Sequence, residues 1–338
     1  MSTDIPDLPW NSLPITDTLP DVRSVGSVWR RLAAYVMDGI ILGIVGVGIG
    51  TALFDKLSRL GPWGRLVGFC IALVYFTFFD SEIGDGQTFG KRLLKLRVIN
   101  AQGNTISFAK SLLRSAIFIV PSFLYGLRLP ETRTPWIVSA VVFVVVLWVG
   151  GSTLYLIIFD RNSRQGLHDL FVGSYVSNAD DTGPVGTTPM AKEQWAILGV
   201  LLVIISVTAG VLNAKLEKTT PFPQMRQDAE LIERMDGVQK AHLRDRLSHG
   251  SADEGAKKTL VISVILKSKF LNQEAFADEI ARDLLQGDSN AQNYDQLSIR
   301  LFRGYDIGIA QRWNHQEFAH APSEWRHRVL DAPPAQTH

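Results

Sequence analysis

The chain has 338 residues, which allows about two folded units at roughly 150 residues per domain. Its net charge of +1 gives no general electrostatic case for binding nucleic acid. Its single cysteine, Cys70, excludes an internal disulfide and a cysteine-based zinc site. Charge is unevenly spread: of 34 basic and 33 acidic residues, 17 and 18 lie in residues 215–338. The first 214 residues are therefore charge-poor and rich in apolar runs.

Residues 1–26 are predicted to form a disordered tail. Residues 1–22 contain four aspartates and four prolines but no lysine or arginine. A signal peptide needs a basic start followed by an uninterrupted apolar stretch, so this segment does not fit one.

Five apolar segments are candidates for membrane-spanning helices, because about 20 apolar residues cross the hydrocarbon of a bilayer. They are approximately residues 32–54, 62–79, 115–130, 135–159 and 194–214. The third is short and contains Pro121, so it fits either a tilted span or a re-entrant segment.

The distribution of basic residues predicts the orientation, because short basic loops stay in the cytoplasm. With five spans, the N-terminus and the connections 81–114 and 160–193 carry more lysine and arginine than the opposite loops. The N-terminus is then cytoplasmic and residues 215–338 are extracytoplasmic. Without the third span, residues 215–338 are cytoplasmic instead.

The first apolar segment carries two stripes at helical spacing. Arg31, Tyr35 and Asp38 share one face, and an ionised aspartate facing lipid there costs on the order of 3 kcal/mol. Asp38 must therefore be protonated, partnered or beside water. The second stripe consists of small residues that suit close helix packing rather than a pathway, namely Gly39, Gly43, Gly46 and Gly50.

Two polar connections carry further motifs. In the first, Lys95 to Val98 and residues 105–108 flank a turn and predict a short hairpin at the membrane surface. The second places His168 and Asp169 directly after the fourth span.

Three ordered stretches, RRLAAYVMDG, GDGQTFGKRLLKLRVINAQGNTISFAKSLLR and RQGLHDLFVGSYV, resemble the RDD family of membrane proteins. The resemblance covers about residues 27–178. The arginine and two aspartates that name the family correspond to Arg31, Asp38 and Asp169. The family's GQTxGKR stretch corresponds to Gly86, Gln87, Thr88, Gly90, Lys91 and Arg92.

The resemblance implies a multi-pass protein of the bacterial cytoplasmic membrane, and some family members are described as cation/proton antiporters. For Arg31, Asp38 and Asp169 two interpretations stay open. In one, the cluster binds and releases a proton or small cation. In the other, it is a structural ion-pair network that holds the first span against residues 160–178.

Residues 215–338 are predicted to form a small soluble α/β domain. Helical periodicity marks residues 228–247 and 273–286, and 259–266 reads as a buried strand. LSIRLF and DIGIA indicate two strands around Gly304. His315 and His320 fit a solvated or core role better than a metal site, and no nucleophile with a base stands out.

The sequence thus predicts an all-α polytopic membrane bundle of about five helices plus a C-terminal α/β domain. The division is a tail (1–26), an RDD-like region (27–178), a linker (179–193), a fifth span (194–214) and the domain (215–338). We expect that the protein is not an enzyme, that it has no catalytic, cofactor-binding or metal-binding residues, and that it does not bind nucleic acid. The first hypothesis is a transporter or cation/proton exchanger in the bilayer. The alternative is a membrane-anchored envelope scaffold or binding protein whose C-terminal domain engages a partner protein or a cell-wall component.

Overall fold

The computed structural model describes residues 24–125, 136–161, 163–186, 190–218, 222–248, 257–267, 272–286 and 290–331. Most of the predicted tail and residues 126–130 of the third predicted span lie outside this range.

The N-terminal region is helical. Its elements in chain order are α1 (Val28–Ala52), α2 (Phe54–Leu60), α3 (Gly64–Asp80), α4 (Phe89–Leu93), β1 (Leu96–Asn100), α5 (Phe108–Leu124), α6 (Trp136–Phe159), α7 (Leu167–Val172), β2 (Ser174–Asn178) and α8 (Lys192–Lys218).

Four helical segments of the described chain are long and apolar enough to cross a membrane. They are Val28–Ala52, Phe54–Asp80, Ile137–Phe159 and Lys192–Leu212. The second joins α2 and α3 through a short 3₁₀ turn at Gly61–Trp63. These four agree with the first, second, fourth and fifth predicted spans.

The third predicted span corresponds to α5, which begins earlier, at Phe108. Its 17 residues give a length of about 25 Å. Pro121 lies in its last turn, where Tyr125 N–H donates to the Pro121 carbonyl at 2.9 Å. Arg114 in the first half of α5 pairs with Asp80 at the end of α3, and Phe123 in the last turn of α5 lies beside Arg65 at the start of α3. Helix α5 therefore runs antiparallel to α3 through the bundle.

The hairpin predicted within residues 95–108 is wrong. Strand β1 pairs antiparallel with β2, with Leu96 opposite Asn178 and Asn100 opposite Ser174. Phe108 already begins α5. Leu96 and Val98 are fully buried beside Ala34 of α1 and Val176 of β2. The strand that pairs with β1 therefore comes from a distant part of the chain and not from the residues after the local turn.

The C-terminal region is rich in β-sheet. It contains α9 (Phe222–Glu233), β3 (Val238–Ser248), β4 (Lys257–Leu266), α10 (Gln273–Gln286), β5 (Gln296–Asp306), β6 (Gln311–His320) and α11 (Pro322–Arg326). The sheet order is β3-β4-β5-β6, with β4 and β5 parallel and the outer pairs antiparallel. Helix α10 makes the crossover between the parallel strands.

The core of this region lies between one face of the sheet and the helices. Ile262, Ile299 and Leu301 from the sheet meet Ile280 and Leu284 from α10. The α/β prediction is confirmed in this coarse sense: strands and helices share one apolar core.

Two predicted elements of this region are wrong. The helix expected over residues 228–247 ends at Glu233, and β3 occupies the second half after a turn in which Gly237 has φ +77°. The two expected strands do not meet at Gly304, which lies within β5 opposite Trp313. The chain turns at Gly308 (φ +80°), and β6 follows.

We predict that Leu284→Ala lowers the free energy of unfolding of the C-terminal region by about 2–5 kcal/mol, because the side chain is fully buried against the sheet. Leu231→Ala, the same change at a 40% exposed position of α9, costs clearly less. Protease resistance of this region across a urea series measures both. Equal losses would contradict the assigned core.

Candidate functional site

A cavity of about 320 Å³ lies among α1, α5 and α6. Its walls are mostly apolar and include Leu32, Phe118 and Leu154. At one end ionisable side chains from five elements meet: Arg31, Asp38, Asp80, Lys91, Arg114, His168 and Asp169. We call these seven residues the charged cluster. The sequence predicted three of them as a cluster, and all three line this cavity.

Asp38 is held by three neutral donors. It lies about 15 Å along α1 and is 1% exposed. Its carboxylate accepts hydrogen bonds from Tyr75 Oη at 2.7 Å, Thr88 Oγ1 at 2.6 Å and the Gly90 amide at 2.8 Å. The expectation that Asp38 needs partners is met by this arrangement, which ties α1 to α3 and α4.

The GQTxGKR stretch builds the contact with Asp38. Thr88 caps α4, because its Oγ1 also accepts from the Lys91 amide at 3.3 Å. Gly90 lies directly against α1, and a β carbon there would overlap the Ala34 carbonyl oxygen. Gly86 has φ +66°, which favours glycine. The small residues of this motif therefore allow α4 to reach α1.

Gln87, Lys91 and Arg92, the other polar residues of this motif, hold the connection between α3 and β1 in place. Gln87 Nε2 donates to the Leu96 carbonyl at 2.8 Å. Lys91 pairs with the buried Asp80. The Arg92 guanidinium donates to the Gly84 carbonyl at 3.2 Å and lies over the Phe79 ring at 5.8 Å from its centroid.

Arg114 bridges two buried carboxylates and was missed in the sequence. Its Nη1 lies 2.6 Å from Asp80 and its Nε lies 2.8 Å from Asp169, and all three side chains are almost inaccessible. The signal was a single arginine on the buried face of an amphipathic helix. The neighbouring basic loop hid it, because loop arginines serve the orientation rule anyway.

Arg31 makes no hydrogen bond to either predicted aspartate in the described structure. Its guanidinium donates to the carbonyl oxygens of Arg164 and Val176, the latter at 2.7 Å. It therefore fastens the start of α1 to the segment around α7 and β2. The three residues of the RDD name share one cavity but have different direct partners.

Asp169 and His168 lie together at the start of α7. Asp169 accepts from Ser174 Oγ at 2.7 Å and from Arg114. Burial alone would raise the pKa of Asp169, but nearby positive charge, Arg114 foremost, and the hydrogen bond from Ser174 together outweigh burial and hold this pKa below its usual value. Burial lowers the pKa of His168 to about 4, although Asp169 opposes this shift. The pair at neutral pH is an ionised carboxylate beside a neutral imidazole.

Two buried polar atoms of the charged cluster have no hydrogen-bond partner among the described residues. They are Nε of Arg31 and Nδ1 of His168. Every carboxylate of the cluster, in contrast, accepts at least two hydrogen bonds.

The predicted glycine stripe faces Tyr305 of β5 and the turn after β5 rather than another helix. A β carbon at Gly46 would lie 2.9 Å from Ala310 Cβ, and one at Gly50 would overlap the Tyr305 ring. Gly43 is near the Ile309 carbonyl at 3.7 Å, whereas Gly39 has no neighbour within 4 Å. Only Gly46 and Gly50 of the stripe are therefore closely packed in the described structure, and their partner is a C-terminal hairpin instead of a helix.

The histidines considered for a metal have other contacts. His315 stacks on Phe302 with ring centroids 5.2 Å apart, and His320 lies edge-on to Trp325 at 4.9 Å. Among the described residues, no group of three His, Cys, Asp or Glu side chains is placed to hold a metal ion.

These features define a membrane-integral protein: apolar helices surround a cavity with a buried charged end. Residues 25–173 match the model of the RDD family. The match agrees with the resemblance carried by the three sequence motifs; we call residues 25–173 the RDD-family region, and the C-terminal region lies outside it. No curated protein matches the chain.

We predict that Arg114→Met destabilises the bundle by about 3–5 kcal/mol, because it leaves Asp80 and Asp169 buried without their shared cation. Lys95→Met, which breaks the exposed pair with Asp180, costs less than about 1 kcal/mol. Thermal unfolding of the purified protein in detergent compares them. A mild effect of Arg114→Met would show that the bridge is dispensable.

The low pKa of His168 predicts that the folded protein loses stability in acid. Its pKa is about 4 in the folded protein and near 6.5 when unfolded, so the unfolded chain binds the extra proton first. Stability should fall as pH drops from 6.5 towards 4, by at most about 1.4 kcal/mol per pH unit from this group. His168→Gln should flatten this part of the stability–pH curve; an unchanged slope would exclude His168 as the cause.

Proposed function

We propose that the RDD-family region is a transporter of the cation/proton exchanger type, with Asp38 as its proton-binding group. The observation that carries this proposal is the cavity among α1, α5 and α6 with Asp38 in its wall. A carboxylate at this depth next to a cavity is a candidate site for a proton or small cation.

The partners of Asp38 suit reversible protonation better than those of the other two acids. Asp80 and Asp169 each contact Arg114, so neutralising either one leaves that arginine less compensated. The three direct donors to Asp38 carry no formal charge. The hydroxyls of Tyr75 and Thr88 can also turn from donor to acceptor when the carboxyl gains a proton.

In this proposal Arg31 and Asp169 are positioning residues. Arg31 holds the start of α1 through two backbone carbonyls, and Asp169 holds Arg114 and α7. They keep the charged end of the cavity assembled while Asp38 gains and loses its proton.

The proposed orientation places the N-terminus in the cytoplasm of a bacterium and the C-terminal domain outside its cytoplasmic membrane. Basic residues around β1 and β2 support this placement. Helix α5 passes the end of α3 in its first half and ends beside the start of α3. In this proposal α5 therefore crosses from the cytoplasmic to the outer side of the membrane and is the fifth span. A reporter enzyme active only outside the cytoplasm, fused to the C-terminus, tests the orientation.

The alternative proposal is an envelope scaffold in which the C-terminal domain captures a partner protein. The observation that favours it is the edge strand β6, most of whose side chains between Gln311 and Glu317 are exposed. An exposed edge offers backbone groups to an added strand. This alternative requires no ion movement through the bundle.

We predict that Asp38→Asn abolishes exchange. Purified protein in liposomes with an imposed pH gradient is given Na⁺ or K⁺, and proton movement is followed with an internal pH-sensitive dye. Asn cannot take up the proton, so we expect at least a tenfold loss.

Asp180→Asn is the matched control, because Asp180 is exposed and pairs only at the surface with Lys95. It should exchange at the native rate. No cation-dependent proton movement by the native protein, or native movement by folded Asp38→Asn protein, would contradict the exchanger proposal and favour the scaffold.

A further inference from the structure

The β5–β6 hairpin enters the helical bundle. Its turn at residues 306–310 is closed by the Ile307 amide, which donates to the Ala310 carbonyl at 3.0 Å. Ile307 is completely buried, in a cluster with Leu57 of α2. Ile309 packs into the apolar cluster formed by Leu42, Ala72, Phe76 and Ile119. The tip of a C-terminal strand pair thus lies among helices of the RDD-family region.

Glycines on two helices form the groove that admits this tip. On α3, a β carbon at Gly64 would lie 2.9 Å from the Asp306 carbonyl oxygen, and one at Gly68 would overlap that of Ile307. On α1, Gly46 and Gly50 meet Ala310 and Tyr305 in the same way. We call these four glycines the hairpin groove. Gly48, on another face of α1, has no neighbour within 4 Å.

Two ion pairs fasten the hairpin at the edge of the groove. Arg65 of α3 binds Asp306 through Nε at 3.0 Å and Nη2 at 2.8 Å, and its Nη1 donates to the Phe123 carbonyl at 2.9 Å. Arg303 pairs with Asp55 of α2 and lies 5.1 Å from the centre of the Phe54 ring. The contact therefore combines shape, apolar burial and charge.

Only a thin apolar layer separates the hairpin tip from the cavity. Phe76 and Phe118 belong to the cluster that receives Ile309, and the same two rings line the cavity. The charged cluster lies towards the other ends of these helices, where Asp80 ends α3 and Arg31 begins α1. The hairpin therefore occupies the bundle on the side away from the charged cluster.

We propose that the β5–β6 hairpin is a plug that closes the RDD-family bundle on this side, so that the C-terminal domain controls access to the cavity. Withdrawal of the hairpin exposes to water both the hairpin groove and the apolar cluster that contains Leu42 and Phe76. The claim that the plug gates transport rests on the proposed function. The claim that the plug blocks access to the cavity is independent of it.

The test measures access directly. In a Cys70→Ser background, Leu42→Cys places a thiol under the hairpin tip, where the native side chain is buried. Sealed vesicles are treated from either side with a charged, membrane-impermeant thiol reagent. Gly68→Ala forces the hairpin away from α3, so we expect labelling from the C-terminal-domain side to become at least tenfold faster.

Gly48→Ala is the matched control and should label at the parent rate. Equal labelling of Gly68→Ala and Gly48→Ala proteins overturns the plug. If Gly68→Ala protein does not accumulate in the membrane, Arg65→Met, which removes the ion pair to Asp306, takes its place with the same expected increase, and an unchanged rate again overturns the plug.

A reversible lock tests gating. In the same background, Gly46→Cys with Ala310→Cys brings together β carbons that lie within reach of a disulfide after a small shift. Oxidation should reduce proton flux at least tenfold, and reduction should restore it. Equal flux in both states overturns gating. If the native protein moves no protons, the exchanger proposal fails, while the labelling experiment still decides whether the hairpin is a plug.

Discussion

The bridge made by Arg114 between Asp80 and Asp169 is the interaction on which the bundle depends. Three charges are removed from water there, and each would be costly alone. The guanidinium suits this position because its planar fork binds two carboxylates at once and keeps its charge when buried. The bridge joins α3, α5 and α7, and Lys91 on Asp80 adds α4. Elements that are far apart in sequence are thereby fixed relative to one another.

The sequence was sufficient for the apolar helices because their signal is local: length, apolar character and the absence of charge. It also placed Arg31, Asp38 and Asp169 together through their motifs. The sequence did not predict which side chains and amides bind these three residues. Asp38 is bound by Thr88 and Gly90, which lie 50 and 52 positions away, and Arg114 reaches Asp169 across 55 positions. Pairing over such distances depends on the fold and has no local pattern.

The errors in strand assignment have the same origin. Residues 95–100 alternate as a strand should, but alternation describes which side chains are buried and leaves the partner strand open. The local turn at Gly103 suggested the wrong partner, since β2 lies over 70 residues further on. In residues 238–247, apolar positions fitted a helix, yet pairing with β4 buries Ala241 and Leu243 in the sheet core. Tertiary contacts overrode local periodicity in both cases.

The two ends of the bundle are closed by interactions with different physical requirements. At the charged end, hydrogen bonds and ion pairs have to be exchanged before helices separate, so changes in protonation affect that end most directly. At the other end, apolar side chains and glycine contacts hold the hairpin, and close packing responds to displacement rather than to pH. Arg65 and Asp306 are the exception, since a partly exposed pair weakens with salt. Protonation at Asp38 or His168 and displacement of the β5–β6 hairpin would therefore act on opposite ends of the same bundle.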